Sequence, residues 1–163
     1  MEVIENLAVG ESLVAYWKKQ NITVIQNSSE NILQQIEAEK AIALPEDFRE
    51  FYAEVNGMSK ADSKGFLFYP LQKVVLAKAI KKITSSKKNA GILIFGEYMR
   101  KTWFYGIQLR EDGAYTIGLV SKKGTFKPIT NFLAEFFDLY MEDSSRLYDC
   151  FELYNSYEDH MML

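Results

Sequence analysis

Leu44-Pro45-Glu46-Asp47-Phe48-Arg49-Glu50-Phe51-Tyr52-Ala53-Glu54-Val55-Asn56-Gly57 carries a full set of helix signals. Pro45 suits the first helical position, where its missing N–H leaves nothing unpaired. Glu46 and Asp47 place carboxylates in the first turn, against the positive end of the helix dipole. Phe48, Phe51, Tyr52 and Val55 fall at i, i+3, i+4 and i+7, which puts them on one core-facing stripe. Asn56-Gly57 then offers a left-handed stop. The spacing predicts a helix over 45–55.

On the N-terminal side the pattern stays helical. Leu13, Val14 and Trp17 make a short apolar stripe between Glu11 and Lys19. Asn21 and Gln26-Asn27-Ser28-Ser29 interrupt it, and Ser28 or Ser29 can cap a second helix by accepting its free N–H groups. Ile32, Leu33 and Ile36 form that helix's buried face, with Glu30, Gln34, Gln35 and Glu37 turned outward.

Beyond Gly57 the period changes to that of strands. Gly65 to Tyr69 reads as a strand ended by Pro70, which cannot donate to a ladder. Lys73 to Ile83 reads equally as a short helix or a loop over the sheet, and Ser85 to Gly91 as a polar loop. Strands follow at 92–95, 102–109 and 114–120, the last two joined by Arg110-Glu111-Asp112-Gly113, in which Asp-Gly is a hairpin signal. Lys122-Lys123-Gly124 makes a further turn before a short strand at 126–129. Such brief connections allow only antiparallel pairing. A last helix starts at Thr130 or Asn131, with Phe132, Leu133, Phe136, Leu139 and Tyr140 on its core face, and ends within 141–145. Residues 146–163 read as another helix or as an aromatic-acidic arm. The fold class is α+β: a central, largely antiparallel sheet, helices packed on it from the N-terminal third, and a C-terminal helix.

The chain has 163 residues, the usual size of one domain, and its 48% hydrophobic content with 11 Phe and 10 Tyr supplies a core without disulfide or metal. A net charge of −3 argues against nucleic acid as the main partner, because neutralising phosphates takes a surplus of Lys and Arg. The charge is uneven. Between Ser63 and Gly96 there is no Asp or Glu but there are Lys64, Lys73, Lys78, Lys81, Lys82, Lys87 and Lys88. From Asn131 onward Glu135, Asp138, Glu142, Asp143, Asp149, Glu152, Glu158 and Asp159 face only Arg146. These are either two solvated surfaces that partly neutralise each other or an acidic face that steers a basic partner. Cys150 is alone, which fits a reducing compartment. Met1-Glu2-Val3-Ile4-Glu5 lacks the basic start of a secretory leader, and no apolar run approaches the ~20 residues of a membrane span. The expectation is a cytoplasmic protein that does not engage a membrane.

Catalytic signals are sparse. The one histidine, His160, stands near the end of the sequence, whereas a nucleophile–base relay needs a rigidly held imidazole. One Cys and one His exclude the usual zinc sites. No glycine pattern matches a dinucleotide or P-loop motif. Glu97, Glu111 and Asp112 stand at strand ends and leave open a carboxylate pair for acid–base work or a seat for a divalent ion, against the commoner reading of exposed turn carboxylates. Trp103, Phe104 and Tyr105 alternate across a strand, so that half face the core and the other half either pack as core too, the favoured reading for any single ring, or offer an exposed binding platform.

The order of these pieces resembles the SUKH superfamily, which includes bacterial immunity proteins and fungal cell-wall regulators. The resemblance rests on Ile32, Ile36 and Glu37, the Leu44–Phe51 helix start, Asn56-Gly57, Gly65-Phe66, Tyr69-Pro70-Leu71, Ile94-Phe95-Gly96, Gly106 and Ile129-Thr130-Asn131-Phe132-Leu133. It covers about 29–140 of one domain spanning 1–163, leaving an N-terminal helical extension at 1–28 and an aromatic-acidic one at 141–163. The resemblance implies an α+β fold, no shared catalytic residues, no cofactor or metal, and, in bacteria, an immunity protein that binds a cognate toxin, often a nuclease. A regulatory or scaffolding module is the alternative. An acidic face suits a basic toxin, and its candidate contacts are Glu111, Asp112, Glu142, Asp143 and Asp149, with Tyr148 and Tyr154 as anchors.

Overall fold

The computed structural model describes residues 9–25, 30–110 and 112–148. Three helices come first: α1 (Val9–Lys19), α2 (Glu30–Lys40) and α3 (Glu46–Glu54). The strands are β1 (Phe66–Phe68), β2 (Val75–Leu76), β3 (Leu93–Tyr98), β4 (Trp103–Leu109), β5 (Tyr115–Val120) and β6 (Phe126–Thr130), followed by α4 (Leu133–Met141). All pairings are antiparallel, and β1 and β2 lie end to end along one edge of β3, giving the order β1/β2-β3-β4-β5-β6. This is the α+β class that the changes of period predict.

The helices bury their stripes on one face of the sheet. Phe48 of α3 meets Phe95 edge-on at 5.5 Å, and Phe136 of α4 meets Phe95 at 5.3 Å and Tyr105 at 5.5 Å. Phe51 and Phe137 stack at 5.0 Å where α3 and α4 touch. Helix α1 belongs to the same core: Leu13 and Trp17 have no exposed surface, and Trp17 Nε1 donates to the Tyr140 hydroxyl at 2.9 Å. Tyr140 in turn donates to Asp62 at 2.6 Å, so the buried indole and phenol are both satisfied.

Two local expectations change. Helix α3 ends at Glu54, with Val55 already extended (φ −149°), so Asn56-Gly57 does not cap it. Gly57 is left-handed (φ +81°) for another reason: its α-carbon lies against the Tyr69–Pro70 peptide, where a side chain would sit 2.6 Å from backbone atoms. Glu37 does not turn outward either. It accepts the Leu44 N–H at 2.8 Å and pairs with Arg49, fastening α2 to the start of α3.

The sheet's second face is covered as well, by the stretch between β1 and β3. Lys73 to Ile83 is neither one helix nor open loop but two single 3₁₀ turns flanking β2, with Leu71, Val74, Ala77 and Ile83 buried. The following polar loop is pinned by a buried side chain: Asn89 Nδ2 donates to the carbonyls of Thr84 (2.9 Å) and Gly124 (3.1 Å). Trp103, Phe104 and Tyr105 are therefore all fully buried, and no aromatic platform forms on β4. Gly106 and Gly118 pair across β4 and β5; a side chain on Gly106 would come within 2.6 Å of Ile92, and one on Gly118 within 2.5 Å of the Phe126 ring of β6.

The β3–β4 turn is strained. Met99, Arg100 and Lys101 are consecutive left-handed residues (φ 45°, 54° and 68°), and none is glycine. Each L-residue in this region costs roughly 1–2 kcal/mol. Arg100→Gly is expected to raise stability by about 0.5–1 kcal/mol after glycine's larger unfolded-state entropy is deducted. The check is a urea midpoint shifted upward at unchanged slope; a lower midpoint would contradict the strain.

Candidate binding cleft

Strand register places one carboxylate among apolar neighbours. Glu97 of β3 stands opposite Leu67 of β1 and Phe104 of β4, so the three side chains form a row on the second face. That row floors a cleft of about 260 Å³. Met58, Ser59, Tyr69 and Pro70 wall it on one side, and Val75 and Ile80 of the covering segment on another, with Lys73 and Lys101 also lining it. Glu97 is 8% exposed and accepts a hydrogen bond from the Tyr69 hydroxyl at 2.8 Å. Burial pushes the Tyr69 phenol far up, and the bond to Glu97 and its charge push it further, so Tyr69 remains a donor at any physiological pH.

Among the described residues the cleft holds one carboxylate, not two. Asp112 lies past the end of β4, more than five residues along the strand from Phe104, the partner of Glu97. At ~3.3 Å per residue that separates them by roughly 17 Å or more. Asp112 instead accepts the Ala114 N–H at 2.9 Å within its own turn. Glu111 lies outside the described residues. Glu97 and Asp112 thus do not assemble the acid–base pair left open by the sequence, and among the described residues no three His, Cys, Asp or Glu side chains gather as metal ligands.

The acidic contacts expected from the sequence fall elsewhere. Glu142 and Asp143 are exposed just beyond α4. Asp143 is engaged within the chain: Tyr148 donates to it and Lys64 pairs with it at 3.2 Å. The Tyr148 hydroxyl, and after it Lys64, hold the Asp143 carboxyl below its ordinary range. Lys64–Asp143 also joins the lysine-rich stretch to the acidic C-terminal third, as two mutually neutralising surfaces would. Tyr148 is half-buried, edge-on to Phe66 at 5.6 Å and to Tyr98 at 5.3 Å, so its ring is packed more than presented. Asp149 and Tyr154 lie outside the described residues, as do the Ser28 and Ser29 caps, Cys150 and His160.

A family model described as SMI1 / KNR4 family (SUKH-1) matches residues 27–142. The match runs from the start of α2 through the end of α4 and includes every cleft residue. The chain belongs to the SMI1/KNR4 (SUKH-1) family. Members of this SUKH-1 family are generally non-catalytic. No curated protein matches the chain. Among the described residues no helix is long and apolar enough to cross a membrane.

The cleft of this SUKH-1 chain was not legible as a site beforehand. Glu97 was visible only as a strand-end carboxylate, because its neighbours Leu67 and Phe104 are set by register across three strands. The one available signal was in β3, where a charged residue follows the run Leu93-Ile94-Phe95-Gly96 without ending the strand.

Proposed function

We propose that this chain is a cytoplasmic immunity protein that neutralises a cognate bacterial toxin by binding it directly. Membership of the SUKH-1 family supports an interaction role. The observation that carries the reading is the cleft itself: a buried carboxylate on an apolar floor, with no second acid, histidine or cysteine lining it among the described residues. Such a site is suited to recognition more than to turnover, since acid–base work needs partners of matched and different pKa. The exposed Glu142 beyond α4 adds negative charge that speeds encounter with a basic nuclease domain.

The test is binding to the toxin domain encoded beside the gene. Isothermal titration is expected to give a nanomolar dissociation constant or tighter, about −12 kcal/mol, with parallel loss of toxin activity. Binding weaker than micromolar to every adjacently encoded toxin would overturn the proposal in favour of a regulatory or scaffolding module.

A further inference from the structure

We infer that the Glu97 cleft is the seat of one cationic side chain, arginine or lysine, presented by the partner protein. The inference rests on the protein-binding reading above and specifies its chemistry.

A carboxylate offers about four acceptor positions. Glu97 uses one oxygen, Oε1, for the Tyr69 hydroxyl; Oε2 has no hydrogen-bond or ion-pair partner among the described residues. With 8% of its surface exposed, Glu97 is nine-tenths buried, and a buried charge left half-partnered is destabilising. A second donor arriving in the cleft removes that cost, and a charged donor removes more of it than a neutral one. The walls fit the remainder of such a side chain. Leu67, Phe104, Met58 and Ile80 line the approach with apolar surface, against which the methylene stem of arginine or lysine packs while its head reaches the acid. A water molecule occupies about 30 Å³ in the liquid, so ≈260 Å³ is ample for one long side chain.

Lys73 and Lys101 refine the partner's chemistry. Both line the cleft, both are exposed, and neither is ion-paired among the described residues. They disfavour a uniformly basic surface and favour a basic residue flanked by carboxylates. Lys101 also sits on the strained turn, which fixes where its stem leaves the backbone.

The experiment is a methyl NMR titration of the full chain, reading the Met58, Leu67, Val75 and Ile80 methyls. The probes are n-propylguanidinium, which has a cationic head on a short stem, and butyrate as its anionic counterpart. Saturable shifts of these methyls with n-propylguanidinium are expected, at an affinity about ten-fold above that for butyrate. Glu97→Gln keeps an acceptor for Tyr69 but removes the charge, and is expected to weaken the cation about ten-fold. Lys73→Glu, an exposed change that leaves the core alone, is expected to tighten it several-fold. Equal or stronger butyrate binding, or cation binding unmoved by both variants, would overturn the assignment and give the cleft to the two lysines or to no ligand. No toxin enters this titration. A negative result therefore leaves the immunity proposal standing, and failure to find a toxin leaves the cleft result standing.

Discussion

Phe68→Ala is expected to lower folding stability by about 4 kcal/mol, near the upper end for a single core truncation. Phe68 ends β1 and packs between the sheet and α4. Its ring centroid lies 4.9 Å from Tyr140, 5.3 Å from Phe137, 5.8 Å from Phe136, 6.1 Å from Phe66, and 6.2 Å from both Phe95 and Tyr105. One edge packs on Gly96, whose missing side chain makes room for it: a Cβ there would be 2.8 Å from Phe68 Cδ1. The surrounding rings are rigid and come from four elements, β1, β3, β4 and α4, so they cannot close on the void together. The lost transfer energy is then joined by a full cavity term. Because natural domains hold only about 5–15 kcal/mol in all, the variant is expected to be partly unfolded at modest denaturant. Phe132→Ala is the matched control. Phe132 is 65% exposed at the start of α4, and its removal is expected to change stability by less than about 0.5 kcal/mol. Urea midpoints of the two variants side by side decide the matter: a Phe68 loss below about 2 kcal/mol would show that the ring cluster repacks.

What could be read from the residues was whatever depends on near neighbours in the chain. The apolar stripe of α3, the Asp-Gly hairpin between β4 and β5, and the antiparallel sheet all follow from spacing within a dozen residues. The misreadings share the opposite cause. Glu37 looked like a surface residue because its partners, Arg49 and the Leu44 N–H, belong to the next helix. For the Trp103-Phe104-Tyr105 run a platform stayed open beside the favoured core packing, because the segment covering the second face has no clear periodicity: two 3₁₀ turns and a two-residue strand bury residues singly. Trp17 belonged to an apparent extension, yet its indole is tied to Tyr140, 123 positions away. The acidic patch was legible as composition, but charge composition does not say that Asp143 is engaged by Lys64 and Tyr148. Glu97 illustrates the limit most clearly. A strand-end carboxylate becomes a recognition group only when register places it between Leu67 and Phe104.

Gly57→Ala is expected to cost about 3 kcal/mol or more, a large effect for the addition of one methyl group. Two penalties combine. A left-handed φ of +81° disfavours any side chain by roughly 1–2 kcal/mol. The new Cβ would also meet the carbonyl carbon and oxygen of Tyr69 and the nitrogen of Pro70 at 2.6–2.7 Å. Those are backbone atoms, and they are held. Tyr69 N–H donates to Phe95 O at 2.8 Å, and Tyr69 O accepts from the Tyr52 hydroxyl at 3.2 Å. On the other side Asn56 Oδ1 accepts the Leu71 N–H at 2.7 Å, and Met58 N–H donates to Phe68 O at 2.9 Å. Relief therefore requires breaking hydrogen bonds on one flank or the other, which places the overpacking cost at the high end of its usual range of 1–3 kcal/mol. The same contact draws Met58 and Tyr69–Pro70 together, and these are walls of the Glu97 cleft. Gly57→Ala is consequently expected to lower the urea midpoint and, in the fraction still folded, to shift the Met58 methyl and weaken n-propylguanidinium. A stability loss below about 1 kcal/mol would mean that the two segments slide apart freely, and that the cleft is less rigid than the hydrogen bonds on its wall require.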